Sequence, residues 1–141
     1  MALAALLAGC ATSTGKTSLD QQFAGMAQCQ LPEMYLNPLD GSLVGDYFVQ
    51  RGLQPCKVAD LAYFCVSDRY RGLPVSRIAI PHTGFSIHAL FIDLDPETVR
   101  ARLNWPELSG PETDAPELPK LVPDPDRPQV SVLYCEPHQE P

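Results

Sequence analysis

The chain has 141 residues, 45% of them hydrophobic and 19% charged, a composition typical of one folded domain that excludes extensive disorder. Its net charge of −7 excludes nucleic acid as a partner, because the phosphate backbone requires a basic surface. The same charge disfavours binding to anionic lipid headgroups, so we expect any membrane association to be covalent or hydrophobic.

The first nine residues form an uncharged, apolar run that stops at Cys10. This run is too short to cross a bilayer, which takes about 20 apolar residues, but it has the composition of the apolar part of a secretory signal. The four residues Leu7-Ala8-Gly9-Cys10 resemble the lipobox of bacterial lipoproteins. The resemblance implies export, cleavage before Cys10 and attachment of fatty acids such as palmitate to that cysteine.

We expect residues 1–9 to be the signal segment and residues 10–28 to be a lipid-anchored tether that ends in a short helix. In the sorting logic of such lipoproteins, Ala11 directly after the cysteine implies the outer membrane, on its periplasmic face. No Lys or Arg precedes the cysteine, although signal peptides begin with at least one, so we expect a start upstream of Met1 or a trimmed chain. The alternative is an apolar N-terminus that packs on the domain.

Four cysteines remain besides Cys10, an even number: Cys29, Cys56, Cys65 and Cys135. We expect the chain that carries them to be exported. Two disulfides are then the default, and three connectivities are open. We favour Cys56 with Cys65, which would clip a short hairpin, and Cys29 with Cys135, which would tie the two ends of the domain together. The sequence contains no Cys-x-x-Cys pair, so a metal site is the weaker interpretation.

Four apolar segments predict strands: residues 61–66, 75–80, 85–92 and 129–134. The third is apolar on both faces, which predicts a central strand. Residues 94–104 predict a helix that is capped by Asp95 and has Pro96 at its first position. Residues 43–51 predict either a short helix or a strand. Residues 106–128 are acidic and rich in proline, which predicts an extended loop.

These elements predict one globular α+β domain over residues 29–136, followed by a tail over residues 137–141. We expect a small, mostly antiparallel sheet of about four strands, with one packed helix and two disulfides. The helix follows directly on the central strand, so we expect it to pack back across the sheet.

Three arginines and a tyrosine surround the first predicted hairpin: Arg69, Tyr70, Arg71 and Arg77. Because Arg and Tyr are enriched at interface hot spots, this cluster is the candidate partner-binding site. The alternative interpretation is a solvated hairpin tip. The acidic segment either pairs with these arginines internally or recruits a basic protein from outside.

Two histidines, His82 and His88, flank the third predicted strand, with Asp93 and Asp95 at its far end. One interpretation makes the histidines metal ligands or an acid–base pair, although a straight strand would separate them by about 20 Å. The other interpretation, which we favour, places His82 in a loop and makes His88 a partly buried strand residue with a hydrogen-bond partner.

The sequence therefore predicts a non-catalytic lipoprotein without a cofactor, held at the outer membrane by lipid on Cys10. We expect it to bind another protein of the cell envelope, as an accessory factor or an inhibitor. Two alternatives stay open. One is an immunity lipoprotein that neutralises a secreted toxin, and the other is a His-dependent periplasmic enzyme or metal binder.

Overall fold

A computed structural model describes residues 15–108 and 118–136 of the chain. A small hairpin of β1 (Tyr35–Leu36) and β2 (Leu43–Val44) precedes the main sheet. The main strands are β3 (Lys57–Val58), β4 (Leu61–Tyr70), β5 (Leu73–Pro81), β6 (His88–Ile92), β7 (Lys120–Pro123) and β8 (Ser131–Cys135). They form one sheet in the order β3-β4-β5-β6-β8-β7, and every neighbouring pair is antiparallel.

Three short helices accompany the sheet: α1 (Leu19–Gln22), α2 (Asp46–Gln50) and α3 (Pro96–Leu103). Single 3₁₀ turns lie at Met26–Gln28 and Pro106–Leu108. Helix α1 begins with a capping box, in which Ser18 Oγ accepts from the Gln21 N–H and the Gln21 side chain accepts from the Ser18 N–H. Within the described ranges, no helix combines the length and the apolar character that crossing a membrane requires.

The α+β class and the largely antiparallel sheet are confirmed, but the predicted number of strands is wrong. The sheet has six strands rather than about four, because β3 and β7 add one at each edge. Strand β3 is two residues long, too short to show any periodicity. Strand β7 lies within the proline-rich segment that predicted a loop, and it ends at Pro123. Proline is tolerated at a sheet edge, where its missing N–H faces no partner strand.

The predicted helix after the central strand is confirmed, with bounds of Pro96–Leu103 rather than 94–104. An Asp95 carboxylate oxygen accepts from the Thr98 N–H at 3.1 Å and so satisfies one of the unpaired donors of the first turn. The hydrogen bonds from Thr98 lower the pKa of Asp95. The helix ends at Leu103, and its C-cap Asn104 takes the left-handed conformation.

The long hairpin of β4 and β5 turns through two residues only, Arg71 and Gly72. Both have positive φ, 48° and 78°, which is the sign pattern of a type I′ turn. This turn matches the twist of the flanking strands and brings Tyr70 opposite Leu73. Arg71 is thereby held in a conformation that few non-glycine residues adopt.

One face of the sheet is covered by the helices and buries the core. The strands contribute Phe64, Ile78, Ile80, Leu90 and Leu133, and the covering layer contributes Leu19, Phe23, Phe48 and Val99. The predicted disulfide pairing is confirmed. Cys29–Cys135 joins the first 3₁₀ turn to β8 with Cα atoms 5.4 Å apart, and Cys56–Cys65 joins the residue before β3 to β4 with Cα atoms 5.8 Å apart.

Candidate functional site

The opposite face of the sheet carries no helix in the described part of the chain, and we call it the open face. Its residues are defined by strand register and by alternation along each strand. One row across four strands reads Tyr63, Ala79, Ala89 and Tyr134. The next row reads Cys65, Arg77, Phe91 and Val132.

The first of these rows has small residues at its centre and large ones at its ends. Ala79 and Ala89 are paired across β5 and β6, and their short side chains form the floor of a shallow hollow. The walls are mainly apolar and consist of Leu61, Ile87, Phe91, Val132 and Tyr134, with Glu136 at one end. The open face therefore presents a concave apolar surface rather than a flat one.

Arg77 is the central charged residue of the open face. Its guanidinium carbon lies 5.8 Å from the ring centroid of Tyr63 and 5.6 Å from that of Phe91, within the range of a cation–π interaction. The two rings themselves meet edge to face, with centroids 6.2 Å apart. Arg77 is half-buried, and no carboxylate among the described residues lies within 4.0 Å of it.

Two lysines lie on the same face beside the aromatic rings. The ammonium of Lys57 is 5.4 Å from the ring centroid of Tyr63, and Lys120 lies opposite Tyr134 in the register of β7 and β8. The single ion pair in the described ranges is Arg127 with Asp124 at 3.7 Å, at a bend beyond β7. The open face thus gathers three cations in a chain whose net charge is −7.

The other three residues of the predicted cluster, Arg69, Tyr70 and Arg71, do not group with Arg77 on the open face. Tyr70 is fully buried against the helical layer, and its hydroxyl donates to the Phe23 carbonyl at 3.2 Å. Burial raises the pKa of Tyr70. Arg71 turns toward the same layer, where its guanidinium carbon lies 5.4 Å from the Trp105 ring centroid and its backbone N–H donates to Asp20 Oδ1 at 2.7 Å.

Arg69 lies at the hairpin tip and is exposed, and its Nη1 donates to the Gly72 carbonyl at 3.0 Å. The structure therefore separates Tyr70 and Arg71, which contact the helical layer, from Arg77, which contacts the open face. A bulge at Ser76 contributes to this separation, because Val75 pairs with Ile92 while Arg77 pairs with Phe91.

The two histidines bind different backbone carbonyls. His88 Nε2 lies 3.2 Å from the Met34 carbonyl oxygen, and burial lowers the pKa of this half-buried ring. His82 Nδ1 lies 3.1 Å from the Ala59 carbonyl oxygen, in the loop after β5. In each case the neutral imidazole can donate to the carbonyl. Among residues 15–108 and 118–136, no three His, Cys, Asp or Glu side chains converge as metal ligands would.

Several predictions fall on residues outside the described ranges. These are the signal segment over residues 1–9, the lipidation site Cys10, residues 109–117 of the acidic segment and the tail over residues 137–141. Within the acidic segment, the described parts contain a 3₁₀ turn and strand β7.

The open face itself was not predicted from the sequence. Residues 85–92 predicted a strand that is apolar on both faces and central in the sheet; β6 begins at His88 and lies between β5 and β8, with helices over one face only. No alternation of polar and apolar residues identifies the open face in β8, because half-buried Val132 and Tyr134 are as apolar as buried Leu133 and Cys135, while polar Ser131 is buried. Comparisons of the chain with protein-family models, with curated proteins and with solved structures found no match.

Proposed function

We propose that this protein is an exported, lipid-anchored binding module that holds a partner protein on its open face and catalyses no reaction. The partner is another component of the cell envelope. The lipobox-like residues before Cys10 support export and anchoring. The two disulfides support the same compartment, because such bonds persist where the environment is oxidising.

The observation that carries the binding role is the position of Arg77 between Tyr63 and Phe91. Arginine and tyrosine are enriched in the centres of protein interfaces. The two rings hold the guanidinium in place, and no carboxylate in the described residues neutralises it. A partner carboxylate would therefore gain a preorganised, partly desolvated hydrogen-bond donor.

The binding role is tested by capture of partners from a detergent-solubilised envelope. We expect the wild-type protein to retain a defined partner and Arg77→Glu to lose it. Arg102→Glu is the matched control, since it makes the same charge change at an exposed position of α3. Equal capture by all three proteins, or no specific partner for the wild type, would contradict the proposed function.

The anchor is tested separately by Cys10→Ser in a protein expressed with a complete secretory leader. We expect the wild type to fractionate with the outer membrane and the variant to appear in the soluble periplasmic fraction. A variant that stays with the membrane would show that lipid on Cys10 is not the anchor. A captured partner that is a secreted toxin would assign the module to immunity.

A further inference from the structure

Resting on the proposed function, we infer that the hollow above Ala79 and Ala89 receives one large apolar side chain of a partner segment, and that a carboxylate next to that side chain binds Arg77. The partner is thus a protein segment in which a branched aliphatic or aromatic residue stands beside Asp or Glu. The hollow and the Arg77 guanidinium together recognise the partner.

The size of the hollow depends on the strand register and on the aromatic rings beside it. Tyr63 and Tyr134 lie three strands apart in one row, which places their attachment points about 14 Å apart. The rings of Tyr63 and Phe91, from β4 and β6, have centroids 6.2 Å apart and close part of this interval, and Ala79 and Ala89 are only 0% and 3% exposed. What remains open is a hollow of about 240 Å³ on the side of Tyr134, which accommodates one large side chain.

The chemistry of the walls selects an apolar occupant. Ile87, Phe91 and Tyr134 line the hollow together with Leu61 and Val132, and none of these side chains places a charge there. A polar side chain would give up its hydration on entering without gaining a partner for its polar atoms. An aliphatic or aromatic side chain would instead bury apolar surface on both itself and the walls.

Two opposite charges set the direction of the partner: Arg77, which lies against the lining residue Phe91, and Glu136, which lines the hollow itself. Arg77 lies in the row of Val132, whereas Glu136 lies beyond Tyr134. Lys57 and Lys120 lie at the two ends of the row that contains Ala79 and Ala89, beyond Tyr63 and Tyr134. A partner carboxylate is therefore attracted toward Arg77 and repelled by Glu136.

The same charges argue for a protein segment rather than a second copy or a lipid surface. Two copies of a chain with a net charge of −7 repel one another, and so does an anionic membrane. A short acidic segment supplies the complementary charge locally.

The inference is tested with a random peptide library displayed on phage and selected against the disulfide-bonded protein. We expect the selected peptides to share one large apolar residue beside Asp or Glu. Ala89→Leu, which fills the hollow, should weaken binding of such a peptide by at least about tenfold. Ala101→Leu is the matched control, because it adds the same atoms at an exposed position of α3 and should leave the affinity unchanged.

A second variant keeps the test decisive if Ala89→Leu does not fold. Glu136 lies at an exposed position, and Glu136→Arg should strengthen binding of the acidic peptide severalfold, because it replaces a repelling charge by an attracting one. Unchanged or weaker binding by Glu136→Arg, or selected peptides without an acidic residue, would overturn the inference. Dimerisation that Ala89→Leu abolishes, or flotation of the Cys10→Ser protein with phosphatidylglycerol vesicles, would overturn it as well.

The two proposals fail in different ways. If Arg77→Glu loses the envelope partner while Ala89→Leu retains it, the open face binds the partner without using the hollow. The inference is then wrong and the proposed function stands. If neither substitution affects capture, the proposed function fails and the inference fails with it.

Discussion

Cys29 and Cys135 are bonded across 106 residues of sequence, so that the first 3₁₀ turn is fixed to the strand that ends the described domain. The other disulfide, Cys56–Cys65, spans only 9 residues and lies at the exposed edge of the sheet. The two bonds therefore restrict very different amounts of chain in the unfolded state, although each joins neighbouring elements in the folded one.

We expect replacement of Cys29 and Cys135 together by Ala to lower the free energy of unfolding by about 4–5 kcal/mol. Replacement of Cys56 and Cys65 together should lower it by about 2–3 kcal/mol, because the released loop is shorter. Urea denaturation of both double variants measures the difference. Equal losses, or the larger loss from the short loop, would contradict this ranking.

Replacement of Asp95 by Ala should lower the free energy of unfolding, since the first turn of α3 loses the acceptor for the Thr98 N–H. Asp95→Asn is the control and should retain most of the stability, because its side-chain oxygen accepts the same bond. The hydrogen bonds lower the pKa of Asp95, so its contribution is present above pH 3.8 and is lost as the pH falls through the folded-state pKa. Thermal unfolding of both variants near neutral pH tests the cap.

His88 should make the domain less stable in mildly acidic solution. Burial lowers its pKa below the ordinary 6.5, so the unfolded chain takes up this proton first as the pH falls. The stabilising effect of the neutral ring is complete above about pH 6.5 and declines below it, down to the folded-state pKa. We expect urea midpoints of the wild type to fall between about pH 7 and about pH 5, and to fall less for His88→Gln.

A control for this pH dependence is His82→Gln, which removes the partly exposed histidine of the loop after β5. It should keep the wild-type dependence between the same two pH values. If His82→Gln flattens the dependence and His88→Gln does not, the assignment to His88 is wrong.

Arg71→Glu should lower stability by about 1 kcal/mol, because it removes the cation over Trp105 and places a carboxylate near Asp20. Adding Asp20→Asn should restore part of the loss if repulsion causes it. Thermal unfolding of the single and double variants measures both effects. Because Arg71→Glu lowers stability, a loss of partner capture by this variant would not by itself show that Arg71 contacts the partner.

Several elements follow from local sequence because their causes are local. Asp95 and Pro96 begin a helix by supplying an acceptor and a preset φ angle to the first turn, whatever the rest of the chain does. The spacing of the cysteines favours the disulfide pairing that the structure contains. Strand β3 was missed because two residues carry no pattern, and β7 because proline commonly marks loops.

The α+β class, α3 and the central strands follow from residue patterns in the sequence alone. Which strand residues share the open face depends on the tertiary structure. Tyr63, Ala79, Ala89 and Tyr134 belong to four strands, and long-range backbone pairing sets their common row. The bulge at Ser76 also shifts the alternation, and Arg71 lies in a turn that directs it to the other side. Arginines six residues apart therefore contact opposite faces of one sheet.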